Sequence, residues 1–286
     1  MSEAFLEIVM PLRNPGHPLR ESIASLAAQT DRAFSVLLSD NGSTSGLDLI
    51  AEARTTLEAA GISVRVVRPS LELGRVEHWN WAHHQATGRW LKPLFVGDQL
   101  KPDYVACLHR RVTERPEARV VRCRFETITP QGTFDTGEIA WAGERLSPQE
   151  VLEHYPGKGN WLGGPVNFAY EQTAWSGSGG YPIQFPGVAD VCLYSSLALR
   201  HGIELLPENL ASFYLHDQRF SHGIRGRRVN GMLELWMILA QLRNYCLSVG
   251  LAWPQWGVTS AVFLQAKIDY WEPFKQRIKR ALFRQT

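Results

Sequence analysis

The sequence predicts an α/β protein in which helices flank a mostly parallel sheet, with a helical region at the C-terminal end. In the first hundred residues, four short apolar runs rich in β-branched residues alternate with longer helical patterns, as is typical of βαβ units. Each run ends in polar or turn-forming residues. Ligands of such sheets bind at the carboxyl ends of the strands, so we expect the functional site there.

The apolar runs predict strands at 5–11, 34–40, 63–69 and 90–97. The segments between them predict helices at 18–29, 47–61 and 76–88, and Gly61 is well suited to end the second helix. Beyond residue 116 the pattern predicts a strand at 118–125, glycine-rich turns, and a helix near 189–201.

No linker rich in Pro or Ser separates these regions. We therefore expect one domain, 1–225, followed by a helical region, 226–286, in which two long segments have helical patterns.

Composition limits the classes of function. The 286 residues carry a formal net charge of only +2, which disfavours nucleic-acid binding. Four widely separated cysteines indicate reduced thiols in the cytoplasm rather than disulfides or a zinc site. No window has the 18 or more apolar residues of a membrane span. The segment 269–286 mixes apolar residues at helical spacing with basic residues, which fits either peripheral contact with the inner face of a membrane or an ordinary helix packed on the core.

Four blocks of sequence carry a family resemblance. "IVMPLRNPGHPLRESIASLAAQTDRAFSVLLSDNGSTSG" (8–46) resembles the N-terminal signature of family 2 glycosyltransferases, and "LGRVEHWNWAHHQATGRWLKPLFVGDQLKP" (73–102) resembles the run into their metal motif. "FPGVADVCLYSSLALRHG" (185–202) and "FYLHDQRFSHG" (213–223) are similar to the acceptor-side acidic segment and the late histidine segment. The resemblance implies a GT-A fold, a nucleotide-sugar donor, a divalent cation, Mn²⁺ or Mg²⁺, and inversion at the anomeric carbon. It also implies that residues 1–225 are a catalytic domain, with a nucleotide-sugar-binding half at 1–105 and an acceptor-binding half at 106–225.

On the donor side, Asp40 ends the second predicted strand, where a carboxylate can accept hydrogen bonds from a nucleoside. The alternative is a simple turn, with Ser43 or Thr44 as a helix N-cap. By resemblance, Pro11 borders the nucleoside pocket, Arg13 reaches a phosphate, and Arg75 meets the donor diphosphate, although both arginines are also compatible with solvated surface positions.

The metal is expected at Asp98. Relatives carry two or more acids there, whereas Phe95 and Gly97 occupy the other acidic positions of this chain. One carboxylate together with the donor diphosphate can still hold a divalent ion. His216 matches a histidine that completes the coordination in metal-dependent relatives; otherwise it is a loop histidine bonded to backbone.

Asp190 is expected to be the general base, which takes the proton from the acceptor hydroxyl as it attacks the anomeric carbon. Relatives mostly have Glu-Asp, whereas Ala189 precedes Asp190 here. Asp190 is equally suited to cap the predicted helix, and both roles can hold together. Trp161 lies in a region that faces the acceptor in relatives, where stacking on a sugar ring and core packing are both open.

The resemblance therefore implies an inverting hexosyl- or N-acetylhexosaminyl-transferase. It would move a sugar from a nucleoside diphosphate, with UDP expected as the carrier, to a hydroxyl of a glycan or lipid-linked glycan, as in surface polysaccharide synthesis. The alternative is a degenerate, non-catalytic GT-A module that binds nucleotide or a partner, because three acids are missing. The first turn, "PLRNPGHP", has no G-x-G-x-x-G, and no P-loop motif occurs, so dehydrogenases and P-loop enzymes are disfavoured. The same turn disfavours a nucleotidyltransferase.

Overall fold

A computed structural model describes residues 5–129, 132–135, 144–154, 162–215, 240 and 243–251 of the chain. The first half has the predicted alternation of strands and helices, in the order β1 Leu6–Leu12, α1 Pro18–Ala27, β2 Phe34–Asp40, α2 Leu47–Ala59, β3 Ser63–Val67, α3 Arg75–Gln85, β4 Trp90–Pro93, β5 Gln99–Leu100 and α4 Tyr104–Glu114. The second half contains β6 Val120–Thr129, β7 Gly132–Asp135, β8 Arg145–Leu146, α5 Pro148–His154, a 3₁₀ turn Pro165–Asn167, β9 Phe168–Glu171, α6 Gln172–Ser178, α7 Ala189–His201 and β10 Ile203–Tyr214.

All the described strands belong to one sheet with the main order β3-β2-β1-β4-β9-β6-β10-β5. The longer ladders, β3 to β2, β2 to β1, β1 to β4 and β6 to β10, are parallel. Shorter antiparallel pairs place β9 between β4 and β6 and place β5 at the edge beside β10. The prediction of a mostly parallel sheet flanked by helices is confirmed.

Strand β1 is central because both of its faces are covered. Every residue of "LEIVMPL" is buried, which explains its nearly continuous apolar run. On one face Leu6, Ile8 and Met10 pack with α1, α2 and α4. On the other face Val9 packs with residues of α3, α5, α6 and α7. The protein therefore has helix layers on both sides of the sheet.

One buried charge stabilises the amino end of the sheet. Glu7 is 0% exposed, its Oε1 accepts a hydrogen bond from Arg65 at 2.9 Å, and its Oε2 accepts the backbone N–H groups of Thr87 and Gly88 at 2.5 and 3.2 Å. A buried carboxylate is tolerated because these donors replace its hydration. The loop before β4 is thereby attached to β1.

The end of α2 is set by local sequence, whereas the end of β4 is set by its pairing with β1. Helix α2 ends as predicted: Gly61 has φ of 75° and donates to the Glu58 carbonyl, while Ile62 donates to the Leu57 carbonyl. The strand predicted at 90–97 was too long, because the ladder between β1 and β4 ends where Val9 pairs with Pro93. The chain then turns through Gly97, which has φ of 93°.

The described part of the C-terminal region includes a short helical stretch at 243–248. The predicted basic helix at 269–286 lies outside the described residues, and the domain boundaries at 105 and 225 stay predictions. Within the described ranges, no helix is both long and apolar enough to cross a membrane. The cysteines Cys107, Cys123, Cys192 and Cys246 are free thiols.

Candidate functional site

The carboxyl ends of β1, β2 and β4 form one edge of the sheet. Leu12 at the end of β1 pairs with Asp40 at the end of β2, and β4 ends beside them at Pro93. Pro11 is buried in β1 opposite Ser39, and Arg13 follows directly at the surface. The tertiary structure therefore brings the predicted residues Pro11, Arg13 and Asp40 together.

Asp40 is held in place by the loop that follows it. Only 4% of the residue is exposed, its Oδ1 accepts the Ser43 N–H at 3.0 Å, and its Oδ2 lies 3.7 Å from Nη1 of Arg68. Ser43 does not cap α2, because Gly46 is the N-cap and no side chain caps the helix. Asp40 thus presents a fixed carboxylate at the strand edge, which suits recognition of N–H or hydroxyl groups.

Two asparagines that were not predicted as site residues hold the loops around the end of β2. Asn14 has φ of 45°, and its Oδ1 accepts the N–H groups of Thr44 and Ser45 at 2.8 and 3.1 Å. The side chain of Asn41 donates to the Leu73 carbonyl and accepts the Leu73 N–H, at 2.8 and 2.9 Å. The sequence signal was their position at strand ends, since Asn41 directly follows β2 and Asn14 lies two residues after β1. Their partners lie about thirty residues away, so only the fold identifies them.

Three arginines surround this edge, each with its own contacts. Arg13 pairs with Glu72 at 2.5 Å, with both side chains about half exposed. Arg68 lies beside Asp40, as described. Arg75 is the first residue of α3; its guanidinium lies 4.5 Å from the ring centroid of Trp79, and its Nη2 donates to the Pro186 carbonyl. The carboxyl edge therefore carries three guanidinium groups, and a bound phosphate would share them with the carboxylate and carbonyl partners already in place.

In the turn after β4, one aspartate lies among aromatic contacts. Asp98 is 4% exposed, and its Oδ1 accepts the Tyr214 N–H at 2.9 Å. A Cβ added to Gly97 would overlap the ring of Tyr214. Phe95 packs edge-on against Trp79, with ring centroids 4.9 Å apart. The two positions that are acidic in the resembling family are thus occupied by aromatic contacts.

This donor set determines how a metal can fit. Among the described residues, no group of three or more His, Cys, Asp or Glu side chains is arranged to hold an ion. His216, the second predicted ligand, lies outside the described residues, as does Trp161. Since Mg²⁺ commonly combines one or two carboxylates with substrate phosphate oxygens, Asp98 fits a divalent ion that is held jointly with a diphosphate.

A buried lysine connects β4 to the segment that follows Gly163 and Gly164. Lys92 is 0% exposed, and its Nζ donates to the carbonyls of Pro93, Pro165 and Val166 at 3.0, 2.8 and 2.7 Å. Burial lowers the pKa of Lys92 to about 7, against the opposite influence of Cys123 and Asp98. Three carbonyls match the three protons of an ammonium group. Lys92 thereby fixes the 3₁₀ turn against the central sheet.

Asp190 lies in the first turn of α7, where Val188 is the N-cap, so it does not cap the helix. Its Oδ1 accepts the Val191 N–H at 2.9 Å. Burial raises the pKa of Asp190, while this hydrogen bond and the positive charge of Arg75 act in the opposite direction. A carboxylate with a raised pKa, close to a cation, has the properties of a general base.

A buried hydrogen-bonded network lies between α3 and α7. Nδ1 of His83 is 2.7 Å from the Trp79 carbonyl, which assigns the proton to Nδ1, so Nε2 accepts the Tyr170 hydroxyl at 2.8 Å. The Tyr170 and Tyr181 hydroxyls are 2.9 Å apart, and Tyr194 follows at 3.4 Å. Burial lowers the pKa of His83 to about 4. The network therefore holds a neutral imidazole.

A cavity of about 470 Å³ borders α7 and the loop after α6. Its volume is within the range of small-molecule sites. The residues that line it come from α3, the end of α6, the following loop, α7 and the 243–248 stretch: Asn80, Ser178, Gly179, Gly180, Tyr181, Pro182, Ile183, Gln184, Cys192, Leu193, Ser196, Arg200 and Tyr245.

Residues 7–134 match the family model described as glycosyl transferase family 2. No curated protein sequence matches the chain. Several solved structures of glycosyltransferases have the same fold. S. aureus TarS 1–349 in complex with UDP-GlcNAc has a TM-score of 0.65 at 13% identity, covering 92% of this chain and 70% of that one.

Two further structures extend this likeness. The mannosyltransferase PcManGT from Pyrobaculum calidifontis, in complex with GDP-Man and Mn²⁺, has a TM-score of 0.61 at 13% identity, covering 94% of this chain and 71% of that chain. GalNAc-T7 with UDP, GalNAc and Mn²⁺ has a TM-score of 0.56 at 14% identity, covering 76% of this chain and 45% of that chain. A longer S. aureus TarS structure has a TM-score of 0.60 at 13% identity, covering 82% of this chain. The present chain spans only 39% of the length of that TarS chain.

Proposed function

We propose that this chain, whose residues 7–134 match the model of glycosyl transferase family 2, transfers a sugar, with inversion, from a nucleoside diphosphate to a hydroxyl of a glycan or lipid-linked glycan. UDP is the proposed carrier and a hexose or N-acetylhexosamine the proposed sugar, in keeping with structural neighbours whose complexes contain UDP-GlcNAc and GDP-Man. A role in surface polysaccharide synthesis and peripheral membrane contact through 269–286 belong to the same proposal.

One observation supports the proposal most strongly. Arg75 starts the helix that follows the carboxyl edge of β3, and its guanidinium reaches Pro186, just before the helix that carries Asp190. This contact, together with the influence of Arg75 on the raised pKa of Asp190, supports a carboxylate close to the residue that starts α3. Inverting transfer needs this combination of a binding edge and a nearby base.

The proposed roles follow from this placement. Asp40, with Pro11 and Arg13, binds the nucleoside and its phosphates, and Arg75 meets the diphosphate. Asp190 takes the proton of the acceptor hydroxyl while that oxygen bonds to the anomeric carbon and the bond to the diphosphate breaks. Trp161 is proposed to contact the acceptor.

A divalent cation, when bound, would neutralise charge on the leaving diphosphate. Asp98 and His216 are the residues proposed to hold it, together with phosphate oxygens. Two of the structural neighbours were solved with Mn²⁺. Because Asp98 is the single acid of this turn, we expect weak metal binding without nucleotide and tighter binding with it.

The proposal is tested first by binding. A thermal-shift screen of UDP-, GDP- and dTDP-sugars, with and without Mn²⁺, should show selective stabilisation of about 2.7 kcal/mol when a donor is at a hundred times its Kd. With the selected donor, Asp190→Asn should retain binding but lower transfer by about 10²- to 10⁴-fold. Asp48→Asn, an exposed aspartate at the start of α2, is the matched control. Unchanged transfer in Asp190→Asn would remove Asp190 as the base.

The packing at the turn after β4 favours a second candidate, a non-catalytic nucleotide-binding module. Tyr214 covers Gly97, and Phe95 packs on Trp79, where relatives carry acids. This alternative predicts donor binding without hydrolysis or transfer under any metal. Hydrolysis of the selected donor by the wild-type protein, lost in Asp190→Asn, would exclude it.

A further inference from the structure

Arg75 connects two parts of the molecule that are distant in sequence. Its partner Pro186 lies 111 residues further along the chain. The guanidinium is also held over the ring of Trp79, at 4.5 Å from the centroid. The same ring packs against Phe95 and Tyr181, at 4.9 and 5.4 Å between centroids. Arg75 therefore stacks on a tryptophan ring that also packs against the turn after β4 and against the segment before α7.

The segment that Arg75 contacts leads directly into the candidate base. The Val188 N–H bonds to the Phe185 carbonyl at 3.1 Å, and Val188 is the N-cap of α7. No side chain caps this helix. The contact of Arg75 with the Pro186 carbonyl is thus a link between α3 and the backbone that orients Asp190.

Arg75 is also the positively charged side chain that acts on the pKa of Asp190. Burial raises the pKa of Asp190, and Arg75 is the cation that opposes this effect. Among the described residues, Tyr181 from the preceding loop and Cys192 and Tyr194 from α7 are the titratable groups on whose pKa Asp190 acts. Burial raises the pKa of all three, that of Cys192 to about 12, so they are neutral at physiological pH. Among the described groups that act on Asp190, Arg75 therefore supplies the positive charge.

We infer that Arg75 is a positioning residue that links the donor edge to the segment carrying Asp190 and keeps this carboxylate ionised for proton transfer. The inference rests on the proposed function and adds to the contact of Arg75 with the diphosphate. A diphosphate bound at Arg75 would neutralise part of its charge and so make Asp190 more basic. Donor binding and readiness of the base are then coupled through one side chain.

The experiment measures the pH dependence of transfer in three variants of the full chain. Arg75→Met removes the charge, Arg75→Lys retains it without the planar fork, and Arg200→Met is the matched control. Arg200 is also stacked on an aromatic ring, 4.6 Å from the Tyr245 centroid, but it lies ten residues after Asp190, about 15 Å along α7. The control therefore loses the same charge at a distance from the base.

In Arg75→Met, the acidic limb of kcat/KM should move upward by about one pH unit, because an adjacent cation lowers a carboxyl pKa by about that amount or more. In Arg75→Lys it should stay near the wild-type position, and in Arg200→Met it should not move. If Arg75→Met loses thermal stability, Arg75→Gln replaces it as the neutral variant.

Two outcomes would overturn the inference. If the donor KM rises in Arg75→Met while the acidic limb stays in place, Arg75 is only a phosphate contact. An equal shift in Arg200→Met would show a general effect of net charge. Failure of the proposed function is seen separately, as wild-type protein without transfer or Asp190→Asn with unchanged transfer.

Discussion

The two sides of the candidate site are built by different forces. On the donor side, side chains of Asn14, Asp40 and Asn41 bond to backbone groups of neighbouring loops. On the proposed acceptor side, around Asp190, aromatic rings and burial dominate, and Arg75 supplies an isolated link to the Pro186 carbonyl. The difference indicates a donor side that is preorganised by many small contacts and an acceptor side that depends on a few buried groups.

The largest effect is expected from Lys92→Met, because this fully buried side chain bonds to three backbone carbonyls. The substitution leaves the carbonyls of Pro165 and Val166 buried without their donor, which should lower the free energy of unfolding by roughly 3–5 kcal/mol. Urea denaturation measures it. Lys101→Met, which breaks a part-exposed pair with Glu126, is the control and should cost less than about 1 kcal/mol. An equal loss of unfolding free energy in Lys92→Met and Lys101→Met would contradict a larger contribution from the buried lysine.

The buried network should make stability depend on pH. Burial lowers the pKa of His83 to about 4 from an ordinary 6.5. As the pH falls below 6.5 the unfolded chain binds a proton that the folded chain does not, so the free energy of unfolding decreases between pH 6.5 and 4, by up to about 3 kcal/mol from this group. His78 acts in the same direction, with a pKa of about 4.

This dependence is checked by denaturation across pH 4 to 7. His83→Gln should flatten the curve, whereas His84→Gln should not, because His84 is exposed on the adjacent face of the same helix. A curve that is unchanged in His83→Gln would exclude a neutral buried imidazole at this position.

The boundary between the two sides is tested at Gly97. Gly97→Ala should cost about 2–3 kcal/mol, because the residue has a positive φ and its Cβ would overlap Tyr214. In a Tyr214→Ala background the overlapping ring atoms are removed and only the contact with the Cβ of residue 214, at 3.0 Å, stays, so the cost should fall towards the backbone strain of roughly 1–2 kcal/mol. Gly61→Ala, with φ of 75° and open space, is the control for strain alone. Additive effects at Gly97 and Tyr214 in this double-mutant cycle would contradict the overlap.

The smallest effect on the fold is expected from Asp40→Asn. The amide oxygen can still accept the Ser43 N–H, so stability should change by less than about 1 kcal/mol. If Asp40 binds the nucleoside, donor affinity should fall by about tenfold or more, corresponding to about 1.4 kcal/mol, as measured by calorimetry. A loss of stability with unchanged affinity would make Asp40 a turn residue, as its sequence context also allows.

The alternation of strands and helices could be predicted from the sequence because it depends on the local periodicity of apolar residues. The residues after the strands were also legible as site candidates, since parallel strands place their ends at one edge. The strand ending in Pro93 was predicted four residues too long, because its end is set by the length of its ladder with β1. Metal and acceptor contacts of His216 and Trp161 stay predictions, because both residues lie outside the described part of the chain.

The sequence alone therefore determined the fold class, the strand edge at which the donor is proposed to bind, and the identity of the single acid in "FVGDQ". Only the tertiary structure decided that Tyr214 packs over Gly97, that Lys92 bonds to the turn at 165–167, and that Arg75 reaches Pro186. These contacts join residues 73 to 117 positions apart. Local patterns encode which element forms and which face is buried, whereas partners across the sheet depend on how the elements pack.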